Sequence, residues 1–260
     1  MQLIFARLRR GIGRATRTAL MHAPALASPP RHARLRPMHV SEALATRRSL
    51  RGFLPTPVPR ATIEAIIAAA ARAPSGSNIQ PWRVRVTVGE EKARLSAALH
   101  AAHDSGAKVE REYHYYPRTW REPYLARRRK VGWDLYTLCG VARGDQAAGH
   151  AQRGRNFDFF GAPVGLFFTL DRDLELGSWL DCGMFVQSVM LAARGHGLDT
   201  CAQAAFCDYH DVVRAHLALP ESQILVCGMS LGHADPSEPA NRLVTERAPL
   251  AEYVTFGPAA

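Results

Sequence analysis

Ala73-Pro74-Ser75-Gly76-Ser77-Asn78-Ile79-Gln80-Pro81-Trp82 lies between an alanine-rich helical run and an alternating run that reads as a strand. Pro74 and Pro81 each lack an N–H and restrict the residue before them, so the segment is no helix interior. It reads as a rigid loop that presents hydroxyl, amide and backbone N–H donors. That inventory suits a flat, polar, partly anionic ligand. On this loop alone, an ordinary helix-to-strand connection fits as well.

Working outward, the upstream segment is Ala45-Thr46-Arg47-Arg48-Ser49-Leu50-Arg51-Gly52-Phe53. Arg47 and Arg51 are four apart, so a helical end places them on one side. The planar guanidinium fork is suited to phosphate. Ser49 adds a hydroxyl between them. One helix and its turns separate the cluster from the polar loop.

Together the two motifs resemble the nitroreductase family of flavin mononucleotide (FMN) oxidoreductases. Arg47, Ser49 and Arg51 match an R-x-S-x-[RK] element, and Pro74, Ser75, Asn78, Gln80, Pro81 and Trp82 match P-S-x-x-N-x-Q-P-W. The likeness continues through Ser178–Ala193, similar to the family's central helix, and Gly197–Phe206, similar to its flavin-facing loop. It ends on Gly228-Met229-Ser230-Leu231-Gly232 with Asn241 and Arg247. It spans residues 40 to 258, and the last three segments are worded most like the nitrobenzoate reductase branch.

The resemblance implies an α+β fold with a mixed sheet flanked by helices, a central buried dimer helix, and a C-terminal segment that reaches the partner subunit. It implies an FMN enzyme that uses NADH or NADPH to reduce nitroaromatic or quinone-like acceptors, by ping-pong hydride transfer through flavin N5. It also assigns roles. Arg47, Ser49 and Arg51 serve the phosphate, ribityl and pyrimidine end, with Arg48 in contact and Arg247 closing on the phosphate. Pro74, Ser75, Gly76 and Asn78 line the isoalloxazine from the opposite subunit. Gln203, Ala204 and Ala205 offer backbone N–H groups toward N5 and O4, and Asn156 is a candidate for the pyrimidine edge. Some relatives carry an acidic residue and a glycine where this chain has Ala204-Ala205, a change that backbone contacts survive. Another flavin chemistry on the same scaffold, such as dehalogenation or dehydrogenation, and a non-enzymatic flavin-binding role remain open alternatives.

The length of 260 residues allows one large or two small domains, and 47% hydrophobic with 22% charged residues is ordinary for a globular protein. The net charge of +10 invites a nucleic-acid partner, but eight arginines and no acid fall in residues 1–37, leaving two charges for the rest. Residues 38–260 show no nucleic-acid-binding motif. The extension is read as a disordered basic segment, a mis-assigned start or a targeting segment, and the FMN-binding domain as residues 38–260. No uninterrupted apolar run approaches the roughly 18 residues of a membrane span. Five cysteines (139, 182, 201, 207 and 227) form no pairable framework, which suggests reduced thiols and a cytoplasmic setting. His100 and His103 stand beside Asp104 without further ligands nearby, so no metal site is expected.

Helices are expected over Ser41–Arg48 (Ser41 capping, Leu44 inward), Thr62–Arg72 (Thr62 capping), Glu90–His103, Glu122–Leu138, Trp179–Arg194 and Asp211–Leu219. Strands are expected at Val84–Val88, Pro163–Thr169 and Gln223–Leu231, with an extended Leu250–Phe256. The helix around Trp179–Arg194 is apolar nearly all round, which suggests burial against a second subunit. The aromatic and arginine-rich stretch 104–160 reads as an excursion over a flat ligand or as packing for a partner. No G-x-G-x-x-G follows a strand, so a dinucleotide-binding Rossmann unit is not supported. No catalytic side chain is proposed, since the flavin itself carries the chemistry.

Overall fold

The computed structural model describes residues 38–106 and 109–257; the expectations for residues 1–37 lie outside them. Strand β1 (Arg83–Val88) follows helices α1 (Val40–Thr46) and α2 (Arg60–Ala70). Then come α3 (Gly89–Asp104), α4 (Tyr124–Leu138), α5 (Gln146–Gly154), β2 (Val164–Asp171) and α6 (Leu176–Gly195). The chain closes with β3 (Asp199–Gln203), α7 (His210–Leu217) and β4 (Gln223–Gly232).

β2 explains the layering. Its first seven residues are all buried, because it lies inside a sheet of order β1-β2-β4-β3 covered on both faces. Alternate side chains then serve two cores. Val164, Leu166, Phe168 and Leu170 point toward α2 and α6, meeting Ile63, Ile66, Phe185 and Val189. Phe167 points the other way, toward Leu95 and Leu99 of α3, Val213 and Leu217 of α7, and Phe206. A strand buried on both sides reads as a continuous apolar run. Every strand pairs antiparallel. Among the described residues, the parallel element of the expected mixed sheet is the single bridge from Ser49 to Thr200.

Some local expectations are corrected. His39 caps α1, its Nδ1 accepting from Ser41 N at 3.3 Å. Ala43 is the buried residue of that helix and Leu44 is exposed. α2 starts at Arg60 behind Pro59, two residues before Thr62. Leu250–Phe256 is not extended: it holds a 3₁₀ turn at Leu250–Glu252. α5 and β3 were not foreseen as elements.

α6 is the long apolar helix, and its two sides differ. Ser178, Asp181, Cys182, Phe185, Val189 and Ala193 are buried, while Leu176 and Leu180 are 82% and 68% exposed. Its 20 residues are long and apolar enough to cross a membrane by length and composition. The buried side nevertheless packs it as a core helix against α2 and β4. All five cysteines are free. Burial pushes the Cys182 thiol up to about 12 and that of Cys201 up to about 11.

Candidate functional site

The basic segment leaves α1 at Arg47 and runs beside β3. Ser49 bridges Thr200, and Leu50 N donates to Thr200 O at 3.1 Å. Asn241 holds the next two residues. Its Oδ1 accepts from Arg51 N at 2.6 Å, and its Nδ2 donates to Gly52 O at 2.8 Å and to Asp235 O at 2.9 Å. The Asn241 carbonyl accepts from Arg48 Nη1 at 3.2 Å. From the other side, Arg155 donates to Arg51 O at 3.1 Å and pairs with Glu238 at 2.6 Å. Gly52 is required here, because a Cβ would lie 2.4 Å from the Cβ of Glu238.

This frame concentrates positive charge. Burial, and then repulsion from Arg247, lower the pKa of Arg47. Arg51 and Arg47 are both close enough to pull on the Cys201 thiol. The carboxylate near Arg48, Asp199, is taken by Arg194 at 2.6 Å. Arg247 turns back on its own loop, donating to Thr245 Oγ1 at 2.7 Å. Among the described residues, none of Arg47, Arg48, Arg51 or Arg247 is in an ion pair. Like charges gathered without a carboxylate call for an anion, and planar guanidiniums fit phosphate.

Two residues past Thr200 on the same strand, about 7 Å at strand rise, a cavity of about 690 Å³ begins. Ala202, Gln203 and Ala204 form one wall, with Trp179, Gly183, Val186 and Met190 of α6 opposite. The size falls within the range of small-molecule sites. Gln203 is 3% exposed, and its side chain is consumed. It accepts from Ser230 Oγ at 2.6 Å and donates to Asn156 O at 2.8 Å and Asn156 Oδ1 at 3.2 Å. Asn156 thus meets Gln203, and its own Nδ2 donates to Arg153 O. A 3₁₀ turn starts at Ala204; its first N–H groups, those of Ala204 and Ala205, have no acceptor inside the turn.

The third wall comes from the excursion, through Tyr113, His114 and Tyr115. Tyr113 meets Trp179 edge-on at 4.7 Å and donates its hydroxyl to Val226 O. Burial raises its pKa, so the phenol stays protonated. Glu112 pins this segment: it accepts from Arg172, from Arg214 at 3.0 Å and from Leu225 N at 3.4 Å. None of Tyr113, Trp179, Met190 or Cys227 was singled out as a site residue from sequence. The only signal was the excess of aromatics in 104–160.

The polar loop stands elsewhere. Gly76 N donates to Asp181 Oδ2 at 3.1 Å, which fastens the loop to α6. Ser75 Oγ accepts from Gln80 N at 3.0 Å, and Trp82 stacks on Phe185 at 4.7 Å and 5°. Ser77, Asn78 and Gln80 take φ of 49°, 57° and 49°, left-handed values that cost non-glycine residues about 1–3 kcal/mol each. At 3.6 residues per turn, Asp181 lies on the side of α6 roughly opposite the cavity stripe Trp179-Gly183-Val186-Met190. One chain therefore brings together the arginines, Gln203 and Ala204, Asn156 and the cavity. It does not bring Pro74, Ser75, Gly76 and Asn78 to them.

The family model described as "Nitroreductase family" matches residues 44–233. A 4-nitrobenzoate reductase of Pseudomonas putida is 44% identical over 213 residues, 82% of this chain and 93% of that protein. A nitrobenzene nitroreductase of Ectopseudomonas oleovorans is 41% identical over 218 residues, 84% of this chain and 96% of that one. The solved structure of NfnB, an FMN- and NADPH-dependent nitroreductase from Sphigopyxis sp. strain HMH, superposes with a TM-score of 0.82 at 42% identity. It covers 85% of this chain and all of that one. NfnB from Mycobacterium smegmatis, FMN-dependent and solved with NADPH, gives 0.80 at 33% identity, covering 84% and 97%.

Proposed function

This chain belongs to the nitroreductase family, and from that premise we propose that it is an FMN-dependent oxidoreductase reducing nitroaromatic acceptors at the expense of NADPH or NADH. One observation carries the reading: among the described residues, four guanidiniums outside any ion pair stand at one end of β3, and an aromatic-walled cavity of about 690 Å³ opens at the other. The donor set fits FMN, with an anion site and a flat apolar slot joined by one strand. When bound, FMN supplies the two-electron chemistry, accepting hydride from the nicotinamide and delivering it to the nitro group.

The chain's own residues bind and orient. Arg47, Arg48, Arg51 and Arg247 hold the phosphate, and Asn241 and Arg155 fix the backbone of the basic segment at Arg51. Gln203, locked by Ser230 and Asn156, fixes where the backbone N–H groups of Ala204 and Ala205 point. Tyr113 and Trp179 give a flat acceptor an apolar face and exclude water from it. The relatives' names, 4-nitrobenzoate reductase and nitrobenzene nitroreductase, favour a nitroarene over a quinone.

The working form is a homodimer. Leu180, Met184, Gln187 and Leu191 fall on one stripe of α6 at i, i+4, i+7 and i+11, a spacing that suits helix–helix packing, and Leu180 stands exposed. A second copy packed there brings its own Pro74–Asn78 loop to this chain's cavity. Among the described residues, the outer edge of β1 has no strand partner in the sheet. A groove of about 930 Å³ lined by Val58, Ile63, Ile67, Val84 and Val86 runs along it. The partner's C-terminal segment, with Leu250, Tyr253 and Phe256 exposed, would fill it.

The test is direct. Purified protein should be yellow, release FMN on denaturation, and oxidise NADPH only when 4-nitrobenzoate or nitrobenzene is added. Colourless protein that takes up no FMN on reconstitution would overturn the assignment.

A further inference from the structure

Helix α3 ends on His103 and Asp104, and α5 sets His150 beside them. One ligand-capable atom from each side chain lies within 4.8 Å of the other two. His150 Nε2 is 2.8 Å from Asp104 Oδ1, and the two imidazoles stack with centroids 3.8 Å apart and planes 6° from parallel. His103 Nε2 faces the carbonyl oxygen of His150 at 3.1 Å, and its Nδ1 faces the Tyr209 hydroxyl at 3.3 Å. Sequence showed His100, His103 and Asp104 together and offered no further ligand; His100 instead faces Asp158 at 2.8 Å. The fold supplies one from 47 residues downstream of His103. Nothing in the proposed flavin chemistry uses the cluster.

We propose that His103, Asp104 and His150 form a binding site for one divalent transition-metal ion of borderline softness, of which Zn²⁺ is the natural probe. Two imidazole nitrogens and one carboxylate oxygen are a donor set such ions take, with water completing the coordination. To coordinate through Nε2, His103 gives up the hydrogen bond that this nitrogen donates to the His150 carbonyl; its hydrogen moves to Nδ1, which then donates to Tyr209 and fixes the tautomer. The ion takes the place of the hydrogen bond between His150 Nε2 and Asp104 Oδ1. Stacked imidazoles point their lone pairs in parallel, so the His150 ring must tilt away from His103 to converge on one ion. With 42% of its side chain exposed, it has room to do so. The ion would then tie α3 to α5.

The experiment is calorimetric titration of ZnCl₂ into the full-length protein, treated with chelator and desalted, in a non-coordinating buffer near neutral pH. The wild type should bind one equivalent that His150→Ala lacks. Zinc taken up by other histidines appears in both titrations and cancels. Asp104→Asn, a change at an exposed helix end that leaves the fold intact, should also weaken that equivalent, and this holds the test if His150→Ala folds poorly. Tyr209→Phe should keep the stoichiometry and lose about tenfold in affinity, the scale of a ligand-orienting partner. Equal zinc uptake by the wild type, His150→Ala and Asp104→Asn would overturn the site and leave an ordinary surface His–Asp pair.

Discussion

Replacing Asn241 by alanine tests the frame that holds the basic segment. The side chain is 9% exposed and makes three hydrogen bonds, to Arg51 N, Gly52 O and Asp235 O. Their loss is unequal. Gly52 O keeps the Asp235 N–H at 3.0 Å, and Asp235 O keeps a longer contact from Glu238 N at 3.4 Å, so those two cost about 0.5–1 kcal/mol each. Arg51 N–H is left without an acceptor, at about 1–3 kcal/mol. The sum is about 2–5 kcal/mol, which for a domain of this size lowers Tm by about 4–20 °C. The freed segment carries Arg48 and Arg51, so flavin should be lost as well. Circular dichroism melting together with the flavin absorbance of the purified variant reads both. A Tm within about 1 °C of wild type with full flavin content would refute the assignment of Asn241 as the latch.

Three further outcomes are expected. Gly52→Ala drives a Cβ onto the side chain of Glu238 and breaks its pair with Arg155; overpacking of this kind costs about 1–3 kcal/mol, read as a lower denaturant midpoint. The hydrogen bond from Arg155 holds the Glu238 pKa below its ordinary value. Its stabilisation is therefore complete above the unfolded carboxyl value of about 4.3 and disappears as pH falls through the lower folded value, so Glu238→Gln should flatten the acid limb of a stability–pH profile. Arg247→Ala should weaken FMN binding by about 1.5–3 kcal/mol, the scale of a charged hydrogen bond. Unchanged FMN affinity in equilibrium dialysis would remove Arg247 from the phosphate site.

The sequence was most legible where local chemistry decides. The prolines of the 73–82 loop forbid helix, the apolar run of β2 requires a strand with two covered faces, and the aliphatic spacing of α2 buries Ile63, Ile66 and Ala70 on one face. It was least legible where distant groups settle a role. Asn156 and Gln203 are separate motifs in the sequence, and the fold makes them one hydrogen-bonded pair. His39 caps α1 because its ring nitrogen reaches Ser41 N, a geometry that residue preference ranks below a serine cap. β3 is too short, and too polar at Asp199, Thr200 and Gln203, to announce itself by alternation. Tyr113 could not be told from Tyr116 or Tyr124 until Glu112 was seen anchored to Arg214 and Leu225 N. The left-handed Ser77, Asn78 and Gln80 carry no glycine to mark them.

The most direct test asks whether one site draws on two chains. An Arg47→Ala/Arg247→Ala variant damages the anion end, and a separate variant shortened at Ser75 and Asn78 to alanine damages the loop on the far side of α6. Each alone should lose flavin and nitrobenzoate-dependent NADPH oxidation. Unfolded together and refolded as random dimers, half are hybrids carrying one undamaged site, so about a quarter of wild-type activity should return. Mixtures that stay as inactive as their parents would contradict a site shared between subunits.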